Sequence, residues 1–320
     1  MDALKIIQAG LLTTVQDLGR FGYQKFGVPL SGALDSLSLR IGNILVGNEE
    51  DAAGFEITLM GPKIEFLNDL LIAITGANLN PHLNNKPAPM WEAIEVKKGD
   101  ELSFKGVISG IRSYLAISGG IDVPLVLKSR STYIGGKIGG FSGRAIQQGD
   151  IIKSDGQLEQ KVKPGTRCPE ILIPKFEKDV NLKVIMGPQD DYFDEKEGIE
   201  VFLSSEYTVT SKSDRMGYRL EGEVIKHRKD KPKGIISEPT VPGGIQIPPE
   251  GQPIILLMEQ TVGGYPKIAT VISTEIRKVG QAKPGDKIRF ERIDIEEAHN
   301  ILINQENLIK EFKEKVLTGK

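Results

Sequence analysis

Cysteine is nearly missing from this chain: of 320 residues, one is cysteine, Cys168, and three are histidine. One thiol cannot build a disulfide framework, so a reducing compartment, the cytoplasm, is expected. His82, His227 and His299 lie far apart in the sequence, with no cysteine cluster to help them form a metal site, and no metal is expected. Neither sign of charge prevails. Lysine and arginine number 41 against 43 acidic residues, a net charge of −2, which argues against an electrostatic nucleic-acid binder. No apolar run approaches the roughly 20 residues that cross a bilayer. The opening MDALKIIQAG lacks the basic start and long apolar stretch of a secretory leader. Neither nucleic acid nor membrane is expected as a partner.

Chemical signatures are missing too. There is no Gly-x4-Gly-Lys-Ser/Thr, so no phosphate-cradling loop of that kind is expected in this chain. No Gly-x-Gly-x-x-Gly opens a helix, and no Gly-x-Ser-x-Gly elbow presents a nucleophile. The run Gly135–Gly140 shares only composition with phosphate loops, and reads as a flexible loop over a site or as a plain turn. Cys168, in Thr-Arg-Cys-Pro, has no histidine near it in sequence to activate it.

What is present is strand-like. Lys63–Leu67, Leu70–Thr75, Ala93–Val96, Glu101–Phe104, Tyr114–Ser118, Leu182–Met186, Ile254–Met258, Ile268–Ser273 and Ile288–Glu291 are short, rich in Ile, Val and Leu, and bounded by turn residues. Gly-Asp leads into a strand three times, at Gly99-Asp100, Gly149-Asp150 and Gly285-Asp286, as barrel-like β architecture would require. Two helices interrupt the pattern. Over Ala33–Val46, Leu34, Leu37, Ile41, Ile44 and Leu45 share a face, and Gly47 ends it. Over Ile295–Leu317 an apolar stripe from Ala298 to Val316 follows Asp294, a candidate N-cap with Glu297 three residues on. That stripe must be covered, and packing within the chain is preferred to packing on a partner. The fold expected is mainly β with a few helices, in two barrel-like domains over residues 1–160 and 161–320, joined through the polar segment Lys153–Pro174.

Three segments carry the chemistry. Thr13–Asp35 sets Gly19, Gly22, Gly27, Gly32 and Pro29 among Gln16, Asp17, Arg20 and Ser31. Glycine lets N–H groups approach a ligand, and the Arg20 fork suits a carboxylate or phosphate. Gln260–Lys267 follows an apolar strand. There Gln260, Thr261, Gly263 and Gly264 offer hydrogen bonds, Tyr265 a ring and a hydroxyl, and Lys267 a cation. Asp214–Arg219 contributes Arg215 and Tyr218; Arg219 reads more simply as a surface ion-pair residue.

These segments also carry a resemblance. Asp-Leu-Gly-Arg-x-Gly-(x4)-Gly-Val-Pro-x-Ser-Gly-Ala-Leu-Asp from Asp17 resembles the opening signature of the biotin-dependent carboxyltransferase family, also called allophanate hydrolase subunit 2. Phe141-Ser-Gly-Arg144 with Gly149-Asp150, Asp214-Arg-Met-Gly-Tyr218 and Gln260–Ile268 agree with it in order and spacing, so the match runs from residue 13 to about residue 290. The family implies two β-rich domains of cyclophilin-like fold. It includes the C component of ATP-dependent 5-oxoprolinase, the KipA-like regulators that bind a KipI-like kinase inhibitor, and the carboxyltransferase part of urea and allophanate systems. The resemblance implies opening of 5-oxo-L-proline, a small cyclic amide, to L-glutamate. The chain would act with a PxpB/KipI-like and a PxpA-like subunit and be inactive alone. The other two roles remain alternatives, and self-association into a homo-oligomer is left open. ATP is expected mainly on a partner subunit. No lysine carries the flanking methionines of a biotin attachment site, so no biotin is expected on this chain.

In that chemistry Arg20 and Lys267 would stabilise charge developing on a ring carbonyl oxygen, while Asp17 or Glu259 takes a proton. Gln16, Ser31, Arg144, Arg215, Tyr218, Gln260, Thr261, Gly263, Gly264 and Tyr265 would hold the substrate. The sequence departs from the family's common form at Met258, where an acidic residue often stands. Glu259, one residue later, is the nearest carboxylate.

Overall fold

Every one of the nine apolar segments falls on a strand of the computed structural model, which describes residues 1–155 and 162–318. The fold is mainly β, as expected. Backbone contacts divide the chain into two units. The first holds Met1–Phe21, Ser31–Phe176 and Glu306–Lys320; the second holds Gly22–Leu30 and Glu177–Gln305. The boundary expected at 160/161, with Gly156 and Lys161 of the polar segment, lies outside the described residues.

The first unit stacks two sheets. One runs Ile121–Asp122, Ile151–Ser154, Asp2–Gln8, Lys63–Phe66, Glu101–Phe104, Pro81–Leu83, Lys86–Pro87. The other runs Leu12–Gln16, Gly54–Thr58, Ser109–Ile117, Leu70–Asn78, Ala93–Val96. Leu4, Ile6, Ile64 and Phe66 from the first meet Phe55, Ile72, Ile74 and Leu115 from the second in one dry cluster. Lys63–Phe66 alternates, burying only Ile64 and Phe66, because a strand points successive side chains to opposite faces. Leu70–Asn78 is buried along nearly its whole length, because both of its faces are covered. On the far face Leu71, Ala73 and Ala116 pack against Leu37, Ile41 and Ile44 of the helix Ser36–Leu45.

That helix starts where its sequence says it should. The Asp35 carboxylate accepts from Ser38 N–H at 3.0 Å and from Ser38 Oγ at 2.7 Å, satisfying an orphan donor of the first turn. The entry is anchored by long-range partners: Tyr114 Oη donates to Glu56 Oε2 at 2.7 Å and accepts from Asp35 N–H at 2.8 Å, while Leu34 N–H donates to Glu56 at 2.9 Å. Burial, and then the charge of Glu56, hold the Tyr114 phenol far above its ordinary pKa, so it stays a donor.

The C-terminal helix Ile295–Thr318 is capped by Asp294, which accepts from Glu297 N–H at 2.8 Å. In the first unit its Ile309, Phe312 and Val316 bury against Leu45, Val46 and Trp91, and Arg40 grips Glu306 with two bonds of 2.7 Å. In the second unit Ala298 packs with Ile272 and Ile293. The stripe is thus covered by the chain itself.

The second unit is a closed barrel in the order Asp179–Met186, Lys267–Val271, Gly244–Gln246, Ile254–Leu256, Gly217–Glu221, Tyr207–Val209, Lys287–Arg292. A parallel pairing of Asp179–Met186 with Lys287–Arg292 completes the ring. A small ladder, Glu238–Pro239 with Val262–Gly263, stands apart from it.

The three Gly-Asp turns are the same object. In each the aspartate N–H bonds to the carbonyl three residues back (Lys97, Gln147, Lys283), and the aspartate carboxylate accepts from that residue's N–H at 2.7, 2.7 and 2.9 Å. The glycines sit at φ 91°, 89° and 93°, the third position of a type II turn, which a side chain would strain. Each turn is clasped to a distant strand, at Phe66, Ile6 and Val209, by a reciprocal pair of backbone bonds.

Candidate functional site

In the first unit the Asp17–Arg20 segment is buried rather than open. Arg20 has no exposed surface; its Nε donates to Val126 O at 2.9 Å and its Nη2 to Ser131 O at 2.7 Å, while Nη1 finds no partner among the described residues. Burial lowers its pKa, and the charge of Asp17 opposes that shift. Asp17 is saturated: it accepts from Gly19 N–H, Ser129 Oγ, Ser131 Oγ and Arg130 N–H. Gln16 spans the same turn, taking Gly32 N–H at 3.0 Å and donating to Thr132 O at 3.2 Å. Ser31 is fully buried at φ 53°, and its hydroxyl has no hydrogen-bond partner among the described residues. The Gly135–Gly140 run is a packed turn. Gly135 and Gly136 lie on the Tyr133 ring, and a Cβ at Gly139 would stand 2.0 Å from Ser131 O and 2.5 Å from Arg20 Nη2. Arg144 caps the neighbouring Gly-Asp turn through Asp150 at 2.7 Å. Burial pushes the Cys168 thiol up to about 12, so it is no thiolate nucleophile.

The second unit gathers the other candidates. Arg215 and Glu259 form a largely buried ion pair, Nε to Oε1 at 2.6 Å. Tyr218 is buried inside the barrel, and its hydroxyl donates to Ala282 O at 3.0 Å. Thr261 O accepts from Thr240 N–H, and Gly264 O from Ile235 N–H. Tyr265 is 40 % exposed. Lys267 is 4 % exposed and its Nζ pairs with Glu238 at 2.5 Å. Gln189 binds both: its Oε1 takes Lys267 N–H at 3.0 Å, and its Nε2 gives to Glu238 at 2.8 Å. The Lys267 bond, then that of Gln189, holds the Glu238 carboxyl below its ordinary pKa.

A cleft of about 590 Å³ opens on this barrel, lined among others by Asp214, Arg219, Gln246, Gln260 and Tyr265. Arg219 is exposed here and makes no ion pair among the described residues, so the free arginine of the Asp214–Arg219 segment is Arg219 and not Arg215. A larger groove of about 680 Å³ lies in the first unit, beside Cys168 and Phe312, and holds none of the expected site residues. Sequence reasoning missed Glu238, Gln189 and Gln246. Gln246 alone left a signal: a polar residue between Ile245 and Ile247, in a strand bounded by Gly243-Gly244 and Pro248-Pro249. No group of three or more possible metal ligands occurs among the described residues. No helix among them is long and apolar enough to cross a membrane.

The model of a carboxyltransferase domain, subdomains A and B, matches residues 26–292. The chain belongs to this family. Over 304 residues it is 38 % identical to the C component of 5-oxoprolinase from Escherichia coli (strain K12), covering 92 % of this chain and 93 % of that protein. The C component of the Haemophilus influenzae 5-oxoprolinase is 35 % identical, with the same coverage of both chains. Urea amidolyase of Lachancea kluyveri is 37 % identical over 98 % of this carboxyltransferase chain, which spans only 18 % of that protein. The crystal structure of the K. lactis urea amidolyase superposes with a TM-score of 0.91 at 36 % identity, covering 97 % of this chain and 20 % of that one.

Proposed function

We propose that this carboxyltransferase-family chain is the C component of an ATP-dependent 5-oxoprolinase, opening 5-oxo-L-proline to L-glutamate with PxpA-like and PxpB-like partners. The observation that carries the reading is end-to-end likeness: the chain covers 93 % of the E. coli C component but only 18 % of the L. kluyveri urea amidolyase. The cleft suits the substrate. Arg219 offers an unpaired cation for the carboxylate, Tyr265 a surface for the ring, and buried Lys267 places positive charge one strand from Gln246. Among the four catalytic candidates, Lys267 is retained as the site's cation. Asp17, Arg20 and Glu259 are read as positioning residues, because Asp17 and Glu259 are engaged inside the protein and Arg20, with no exposed surface, gives Nε and Nη2 to carbonyls of its own unit. ATP belongs to a partner subunit in this scheme, and the chain alone is inactive.

The second reading, the carboxyltransferase part of a biotin-dependent urea system, is favoured by the 0.91 superposition on the urea amidolyase. One experiment separates the two. The chain is co-expressed with PxpA-like and PxpB-like proteins, and glutamate release from 5-oxo-L-proline is followed with and without ATP. ATP-dependent release is expected. No release, together with ATP consumption on urea when biotin carboxylase and biotin carrier protein are added, would replace the first reading by the second.

A further inference from the structure

Gln246 is 4 % exposed, yet its amide Nε2 has no hydrogen-bond acceptor among the described residues. A buried N–H without a partner is costly, and folded proteins rarely keep one without a use for it. Its surroundings point to the use. Gln246 also lines the cleft that holds Arg219 and Tyr265. It ends the strand Gly244–Gln246, and its cross-strand partner, across a bulge, is Lys267. Gly263 lies against the amide so closely that a Cβ there would stand 2.0 Å from Nε2. Any side chain at that position would displace the amide. Gly263 in turn pairs in the small ladder with Glu238, the counter-ion of Lys267. Thus the glycine of the Val-Gly-Gly-Tyr segment clears the space of a buried donor, at the wall of the cleft, that has no acceptor among the described residues.

We propose that Gln246 Nε2 is the donor that recognises the carbonyl oxygen of a cyclic amide in this cleft, with Gly263 as the residue that gives the amide its place. The inference deepens the proposed function and rests on it for the choice of ligand. A ligand reaches this buried donor through a small turn of the Gln246 amide, and a neutral N–H bonded to a carbonyl strengthens as charge grows on that oxygen. The positive charge of Lys267, one strand away, favours the same charge. A carboxylate on the ligand is served separately, by Arg219.

The test is binding, so it does not depend on turnover. The full chain, alone and with its partner subunits, is titrated calorimetrically with 5-oxo-L-proline and with 2-pyrrolidinone, the same ring without the carboxylate. Gln246→Met keeps length and removes the donor; Gly263→Ala disturbs the same amide from the other side. Each is expected to weaken both ligands by at least about tenfold, the scale of one lost hydrogen bond. Arg219→Ala should weaken only 5-oxo-L-proline. Gln246→Met should melt no lower than wild type, since an unsatisfied polar group is replaced by an apolar one. Unchanged binding in folded Gln246→Met or Gly263→Ala overturns the proposal. So does a wild-type chain that binds neither ring, alone or in complex. If the wild type binds and both variants lose binding, yet the complex releases no glutamate, the assignment of Gln246 stands and the 5-oxoprolinase reading falls.

Discussion

Replacing Arg20 with alanine tests whether the glycine-rich opening segment is an anchor or an open binding loop. The guanidinium gives 2.9 Å and 2.7 Å bonds to Val126 O and Ser131 O from a site with no exposed surface. Hydrogen bonds from a charged donor contribute about 1.5–3 kcal/mol each; removal costs Ser131 O its guanidinium donor, while Val126 O keeps only the longer bond from Ser129 N–H at 3.3 Å. Against that, a charge that burial disfavours is relieved, as its lowered pKa records. The balance is a loss of about 3 kcal/mol. For a unit of this size that lowers Tm by roughly 6–12 °C, at 2–4 °C per kcal/mol. Differential scanning calorimetry of the purified chain reads it directly. Arg20→Lys should recover little, because an ammonium on a linear stem cannot meet two carbonyls as a planar fork does. A fall in Tm below about 2 °C, with activity of the complex lost, would refute the anchor and return Arg20 to direct contact with the substrate.

Three further outcomes are expected. Tyr218→Phe removes the bond to Ala282 O inside the barrel, so it should cost about 1 kcal/mol by urea denaturation and leave the affinity for 5-oxo-L-proline unchanged; a changed affinity would place Tyr218 on the ligand. Glu238→Gln deprives buried Lys267 of its counter-ion, so activity of the reconstituted complex should fall at least tenfold and more than Tm accounts for; unchanged kcat/KM would remove the pair from the site. The Glu306 carboxyl is held below its ordinary value by Arg40. A depressed carboxyl contributes stability above its unfolded pKa, about 4.3, and loses it as pH falls through the folded value. Acid should therefore destabilise wild type more than Glu306→Gln below about pH 4.3; parallel stability curves for the two would deny the pair a role.

The sequence disclosed what is local. A Gly-Asp turn is written in four consecutive residues, so all three could be read, and Asp35 and Asp294 cap helices through bonds to residues three along. Continuous apolar runs gave the central strands away. Leu12–Gln16 and Gly54–Thr58 escaped because their buried faces include Thr14, Gln16 and Glu56, polar residues whose partners lie far along the chain. The site divided in the same way. Lys267 stood out beside two glycines, but Glu238 and Gln189 reach it across 29 and 78 residues of sequence, and no local pattern names them. Burial was misjudged most. Glycine and arginine together looked like an open loop, whereas Gly139 leaves the room that the Arg20 fork fills. Within the Asp214–Arg219 segment nothing in the sequence showed which arginine is buried: Arg215 pairs with Glu259, and the exposed Arg219 makes no ion pair among the described residues.

The order in which the core of the first unit becomes available has a cost during synthesis. Leu45, Val46 and Trp91 are made early, but Ile309, Phe312 and Val316, which bury against them, follow only after residues 177–305 of the second unit. At the usual 5–20 residues per second that delay is on the order of ten seconds. Val162, Cys168 and Leu172 cover part of that surface earlier, but the part that Ile309, Phe312 and Val316 bury stays open throughout the delay, while the two sheets are already able to form beside it. The unit that begins first is therefore the one that finishes last, and its exposure to chaperones and to aggregation is set by the length of the barrel inserted before its final helix turns.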